Sequence, residues 1–184
     1  MKTGITYDDV LLVPQYSDII SRREVDLTTD FGKGIELSLP IIASPMDTVS
    51  EADMAGNLNE LGGLSIIHRY NTVEEQPAMI ASLGKWVLVG AAVGVLDDYM
   101  DRSQAAIEAG AKVICIDVAH GHHVLVKRAI QSIRELIGND IHIMAGNVAT
   151  LEGFNDLADW GADSIRCNIG GGSICTTRIQ TGHG

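Results

Sequence analysis

The sequence predicts an α/β fold, a (β/α)8 TIM barrel of which this chain carries about strands one to six. Three observations lead there. Short runs rich in Val, Ile and Leu recur at 40–46, 64–68, 87–93, 113–119, 141–145 and 164–169. Their starts lie about 25 residues apart, the length of one βα unit. Each run is almost continuously apolar, as strands are when helices cover a parallel sheet, and nothing signals a reversing sheet.

The elements follow in order. After an irregular opening, PIIASPM (40–46) is the first strand. TVSEADMAGNLNELGG is the first helix, with a Thr/Ser-plus-acid start and a stop at Gly62-Gly63. Capping accounts for Thr48, Ser50 and Glu51 without any function. It does not account for the Ser44-Pro45-Met46 turn. LSIIH leads into NTVEEQPAMIASLG, where Pro77 fits only the first turns or marks a break. VLVGAAV, VICIDVA and IHIMA each precede an amphipathic stretch: LDDYMDRSQAAIEAG, HHVLVKRAIQSIRELIG and TLEGFNDLADWG. SIRCNI, the sixth run, opens into GGGSICTTR. The alternative, a doubly wound open sheet, would carry G-x-G-x-x-G after its first strand, and none follows 40–46.

Composition narrows the function classes. Of 184 residues, 46% are hydrophobic and 20% charged, as in a soluble globular protein, here a single domain over 1–184. A net charge of −11 supplies no basic field for nucleic acid. No segment approaches the ~20 apolar residues of a membrane span, and MKTGITYDDVLLVPQYSD lacks an apolar run of signal length. The three cysteines form no C-x-x-C pair, so neither a disulfide framework nor a zinc ribbon is indicated, and a cytoplasmic setting fits.

In such a barrel chemistry sits at the C-terminal strand ends. Those ends hold Ser44, Met46 and Asp47, then His68 and Arg69, Gly94, Asp117 with His120 and Gly121, Gly146 with Asn147, and the loop Asn168–Arg178. Cys175 stands out, because three glycines before it let backbone approach a ligand or ion and a helix start follows. The pattern leaves both a nucleophile and a packed thiol open. Cys115 and Cys167, inside apolar runs, are expected to be buried structural thiols. His120-Gly121-His122-His123 lacks carboxylates at ligand spacing apart from Asp117, and reads as a loop opening a helix rather than a metal site.

These segments resemble a known family. PIIASPMDTVSEADMA, GGLSIIHRYNTVEEQ, VICIDVAHGH, IMAGNVAT and IGGGSICTTR match, in order and spacing, the catalytic barrel of the IMP dehydrogenase / GMP reductase family, and TYDDVLLVPQYS resembles its N-terminal segment. The resemblance implies a purine nucleotide oxidoreductase, usually tetrameric, acting on IMP to give XMP with NAD, or on GMP with NADPH. It implies Cys175 as the nucleophile at C2 and Thr177 as an aid to proton transfer. Ser44, Met46 and Ser173 match nucleotide contacts. Asp117, Asn147 and Arg166 match the cofactor pocket. Backbone carbonyls of Gly170, Gly172 and Cys175 match a K+ site.

Four departures stand beside it. Asn168 and Gly171 replace a glycine and the proline of the usual G-x-G-P-G loop. TVEEQPAMIASLGKWVLVG runs straight on where many dehydrogenases insert regulatory CBS modules. His183 replaces a small apolar residue. By the same resemblance the seventh and eighth strands would carry most of the phosphate grip and the flap after them a water-activating Arg, and they are expected from a second polypeptide or a longer gene product. The 184-residue chain alone is expected to be inactive. MDTVSE, GGLSIIH, EEQ, AGNVAT and SICTTRI favour a dehydrogenase. ICIDVA, Thr181 and the absence of CBS modules favour a reductase. A non-catalytic half-barrel is the reading from another class.

Overall fold

The computed structural model describes residues 4–5 and 7–184. Thr6, which opens the family-like segment TYDDVLLVPQYS, and the first three residues lie outside the described residues. Strands and helices alternate as expected: β3 (Ile42–Ala43), α1 (Ala52–Glu60), β4 (Leu64–Ile67), α2 (Glu75–Ser82), β5 (Val89–Val93), α3 (Tyr99–Ala109), β6 (Val113–Asp117), α4 (Val124–Ile137), β7 (His142–Val148), α5 (Leu151–Asp159), β8 (Ser164–Cys167) and α6 (Thr177–Thr181). β3 to β8 pair in chain order, all parallel, into one curled six-stranded sheet, a half-barrel with β3 and β8 at its edges.

Alternation along each strand sorts the core into two layers. On β6, Ile114 and Ile116 face the helices, where they join Ala106, Val126, Ile130, Ile133 and Leu157. Val113 and Cys115 face the concave side with Leu64, Ile66 and Met144. α4 shows the cause from its side. Val126, Ala129, Ile130 and Ile133 recur at i, i+3, i+4 and i+7, one buried stripe. Its N-terminus is capped by His123, whose Nδ1 accepts the Leu125 N–H at 3.1 Å.

The opening is less irregular than its sequence. It contains an antiparallel hairpin, β1 (Thr29–Gly32) and β2 (Ile35–Leu37). The turn Gly32-Lys33-Gly34 takes φ of 91°, 55° and 74°, a left-handed path that its two glycines permit. The hairpin sits at the N-terminal ends of the strands, with Leu37 and Phe31 against the concave core. Phe31 stacks on His142, with centroids 4.2 Å apart and planes 14° apart. Lys33 Nζ lies 3.3 Å from Asp163 Oδ1, and Arg134 grips the other carboxylate oxygen at 2.5 Å.

At the opposite, C-terminal end a buried amide stitches two strands. Gln76 Nε2 donates to the carbonyls of Ile67 (3.2 Å), His68 (2.9 Å) and Ala92 (2.9 Å). Buried carbonyls left unpaired there would cost roughly 1–3 kcal/mol each. Pro77, next to it, lies in the first turn of α2, where its missing N–H costs nothing.

His142 sets a pH dependence. The ring is buried, its Nε2 lies 2.8 Å from Ser164 Oγ, and its Nδ1 has no partner among the described residues. Burial pushes its pKa below the usual histidine value; the nearby Asp163 opposes the shift, and Arg134 and Lys33 add to it. A depressed folded pKa means that the stability from neutral His142 is complete above the unfolded value and lost as pH falls through the folded one. Urea midpoints should therefore drop from about pH 7.5 to about pH 5, and drop less in His142→Gln.

Candidate active site

Six strands end on one rim, and the loops there enclose a cleft of about 730 Å³. Nine of the ten predicted site residues line it: Ser44 and Met46 after β3, Asp117 and Asn147 on β6 and β7, Arg166 on β8, and Gly170, Gly172, Cys175 and Thr177 on or after the last loop. Ser173 does not line it; its side chain is exposed. The loop turns between Gly172 and Cys175, whose N–H donates to Gly172 O at 3.0 Å, and carries Ser173 outward.

A polar brace crosses the floor. Arg166 projects from β8 to the concave side, where Nη1 donates to Asp117 Oδ1 and Nη2 lies 3.3 Å from Ser44 Oγ. One guanidinium thus ties β8, β6 and the loop after β3, three points on the cleft wall. Asn147 Nδ2 donates to Asn168 O at 2.9 Å and anchors the start of the glycine loop. Asn168 itself takes φ of 80°, and its Oδ1 accepts the Ile169 N–H at 2.8 Å. Arg178 Nε closes the loop from the far side on Ile169 O, at 2.8 Å. The glycines follow from this closeness. A Cβ on Gly170 would lie 2.7 Å from Arg178 Cγ, and one on Gly171 2.7 Å from Asn168 Nδ2.

The three cysteines differ sharply. Cys175 is exposed, with Sγ 3.2 Å from Thr177 Oγ1. As a thiolate it accepts that hydroxyl. Hydrogen bonding from the Thr177 side chain and backbone lowers its pKa, and the Arg178 charge helps. Cys115 is buried beneath Arg166, and burial pushes its thiol up to about 12. Cys167 corrects the sequence reading: it is exposed, because β8 is an edge strand with nothing packed over its end.

Two other expectations meet the structure differently. The His120–His123 loop opens α4, as read: His123 caps it and His122 Nε2 lies 2.7 Å from Asp156 Oδ2. His120 stacks toward His183, with centroids 5.1 Å apart. The capping account of Thr48, Ser50 and Glu51 is overturned. Glu51 stands at the N-cap of α1 but makes no capping bond, and instead lies 3.1 Å from His68 Nε2. Ser50 Oγ donates to Ser44 O, and Thr48 Oγ1 to Asp47 O. The helix begins at Ala52, four residues after Thr48, and the side chains of Thr48, Ser50 and Glu51 bond within the loop or to His68 instead.

Arg69 and Tyr70 also line the cleft, and the guanidinium lies 5.6 Å over the tyrosine ring. Arg69 Nε is buried without a partner among the described residues. Sequence position alone marked Arg69, as a cation directly after the second apolar run. Tyr70 carried no such signal. A second groove, of about 990 Å³, runs outside β8 between Ile5, Val10, Val148, Leu151, Phe154 and His183.

Comparison with known proteins adds an independent line. A family model described as the IMP dehydrogenase / GMP reductase domain matches residues 4–184. An inosine-5'-monophosphate dehydrogenase of Cryptosporidium parvum is 34% identical, over 98% of this chain and 55% of its own. A GMP reductase of Serratia proteamaculans is 37% identical, over 97% of this chain and 53% of its own. An inosine-5'-monophosphate dehydrogenase of Nitrosopumilus maritimus is 27% identical, over 100% and 64%. The chain thus spans just over half to under two thirds of these relatives. The archaeal alignment runs over 308 positions and the Serratia one over 186.

The thiols give a direct test. Iodoacetamide at neutral pH should modify Cys175 and Cys167 in the folded chain and leave Cys115 unmodified until denaturation, as read by peptide mass. Thr177→Val should slow the Cys175 reaction roughly threefold at pH 7, because less thiolate is present.

Proposed function

The chain belongs to the IMP dehydrogenase / GMP reductase family, and from that premise we propose that it is the greater part of the catalytic barrel of an IMP dehydrogenase, oxidising IMP to XMP through a covalent adduct on Cys175. One observation carries the reading. An exposed thiol with a lowered pKa and a hydroxyl partner faces a cleft that also holds the Asp117–Arg166 pair.

The residues divide the work. Ser44 and Met46 hold the purine nucleotide, with Ser173 reaching it only if the loop turns inward. The Cys175 thiolate adds to C2 of the purine, and NAD, when bound, would supply the acceptor for the C2 hydride. Water then hydrolyses the adduct, releasing XMP and returning the thiol. Thr177 Oγ1, 3.2 Å from Sγ, stabilises the thiolate and relays its proton. Asp117 offers a carboxylate oxygen to a ribose hydroxyl, Arg166 keeps that carboxylate oriented, and Asn147 completes the pocket. The same cleft is thus shared between substrate and cofactor rings.

The loop also fits a monovalent cation such as K+. The carbonyls of Gly170, Gly172 and Cys175 would hold it, since neutral carbonyls suit a hard, weakly held ion and a Cβ at Gly170 would lie 2.7 Å from Arg178 Cγ. An open six-stranded sheet needs further strands to close, and we assign them to a segment that also covers the groove beside β8. Leu11 and Leu12, 96% and 97% exposed, lie on the strap that such a segment would bury. Residues 72–90 run through α2 into β5 without an inserted domain, so regulation by CBS modules at this point is absent from this reading. A cytoplasmic homotetramer completes it.

GMP reductase is the second reading, favoured by one observation. At 37% identity the Serratia GMP reductase stands slightly above the 34% of the Cryptosporidium dehydrogenase. NADPH would then reduce GMP at the same carbon, with loss of ammonia.

Two measurements decide. A purine nucleotide with a leaving group at C2 should alkylate Cys175 in the closed-barrel enzyme and not in Cys175→Ser, and the same substitution should lower XMP formation at least about a thousandfold. Turnover with GMP and NADPH but not with IMP and NAD would replace the first reading by the second. An unlabelled Cys175 would sink both and leave a scaffold.

A further inference from the structure

The turn that brings Ser44 and Met46 to the cleft is held from behind by a buried histidine. His68, directly after β4, is 2% exposed. Its Nδ1 accepts the Tyr70 N–H at 3.1 Å, which leaves the ring proton on Nε2. Nε2 donates to Glu51 Oε1 at 3.1 Å, with Asp47 Oδ1 at 3.8 Å. The backbone makes the same connection. His68 N–H donates to Ser50 O at 3.3 Å, and Ser50 Oγ donates to Ser44 O.

Two features of this turn have no explanation in helix stability. Glu51 occupies the N-cap of α1, where Ser, Thr, Asp or Asn is preferred, and makes no side-chain capping bond. Thr48, β-branched, takes φ of 59°, a left-handed backbone held only where the surroundings over-determine it. Both follow if the turn is shaped for what it presents and not for the helix behind it.

We propose that Glu51 and His68 form a positioning pair for the cleft. The Glu51–His68 bond fixes Ser44-Pro45-Met46 against the sheet. The Tyr70–His68 bond fixes the next loop, with Arg69 and Tyr70, to the same ring. One imidazole in one tautomer thus sets two adjacent wall segments relative to each other. Its effect on nucleotide affinity rests on the function proposed above; its effect on loop order does not.

The test uses the closed-barrel enzyme as wild type, Glu51→Ala and Glu51→Gln, with amide hydrogen exchange and IMP calorimetry on each. The Glu51 side chain is 43% exposed, so the alanine variant should fold, and unchanged exchange in β5 and β6 will verify it. Amides of residues 44–51 should exchange about tenfold faster in Glu51→Ala, and the IMP dissociation constant should rise by a similar factor. Glu51→Gln, which still accepts the Nε2 proton, should restore both. Unchanged exchange at 44–51 in Glu51→Ala overturns the pair. Faster exchange with unchanged IMP affinity overturns its positioning role. If the closed-barrel wild type binds no IMP, the proposed function fails, and exchange alone decides for or against the pair.

Discussion

Parallel pairing is the constraint from which the rest follows. Six strands running one way bring all their C-terminal ends to one rim and all their N-terminal ends to the other. Helices seal the convex face with hydrocarbon, and aliphatic side chains fill the concave one. Polar chemistry is left only the rims. The cysteines record this directly. Cys115, two residues before the end of β6, has a thiol too deeply buried to ionise, while Cys175, past the end of β8, has one readied for it. The group is the same; depth along a strand decides its reactivity.

The rim is ordered by a few buried polar groups instead of many surface ones. Gln76 ties three carbonyls at the ends of β4 and β5. Arg102, 4% exposed, holds Asp98 at 2.7 Å and the Asn71 carbonyl at 3.0 Å, so the loop after β4 is pinned from the helix side. His68 and Arg166 do the same from within. Networks of this kind are strong when every member is satisfied, because the interior weakens screening. They also place cations where an acidic chain otherwise has few. Against a net charge of −11, Arg69 and Arg166 both line the cleft, and Arg166 is paired there with Asp117.

Much of this was legible beforehand. Apolar runs of regular spacing gave the strand order, the strand ends collected eight of the site residues that share a cleft, and the family resemblance added Arg166. What escaped did so for physical reasons. The β1–β2 hairpin is short, and its signal was two glycines flanking a lysine. Cys167 looked buried because its run is apolar, but an edge strand has one side uncovered. Thr48, Ser50 and Glu51 carried the composition of a helix cap, and only three-dimensional contacts show them turned to a loop instead. Ser173 sits between two residues that do line the cleft, and one tight turn carries it away.

The stacked Phe31 and His142 carry one last implication. They are 111 positions apart (142 − 31) and join the hairpin to β7. Closing so long a loop is entropically unfavourable until a surface exists to receive it, and that surface is the assembled sheet through β7. The hairpin's stack on His142 is therefore available only once β7 has joined the sheet, and it closes the base of the half-barrel across most of the chain.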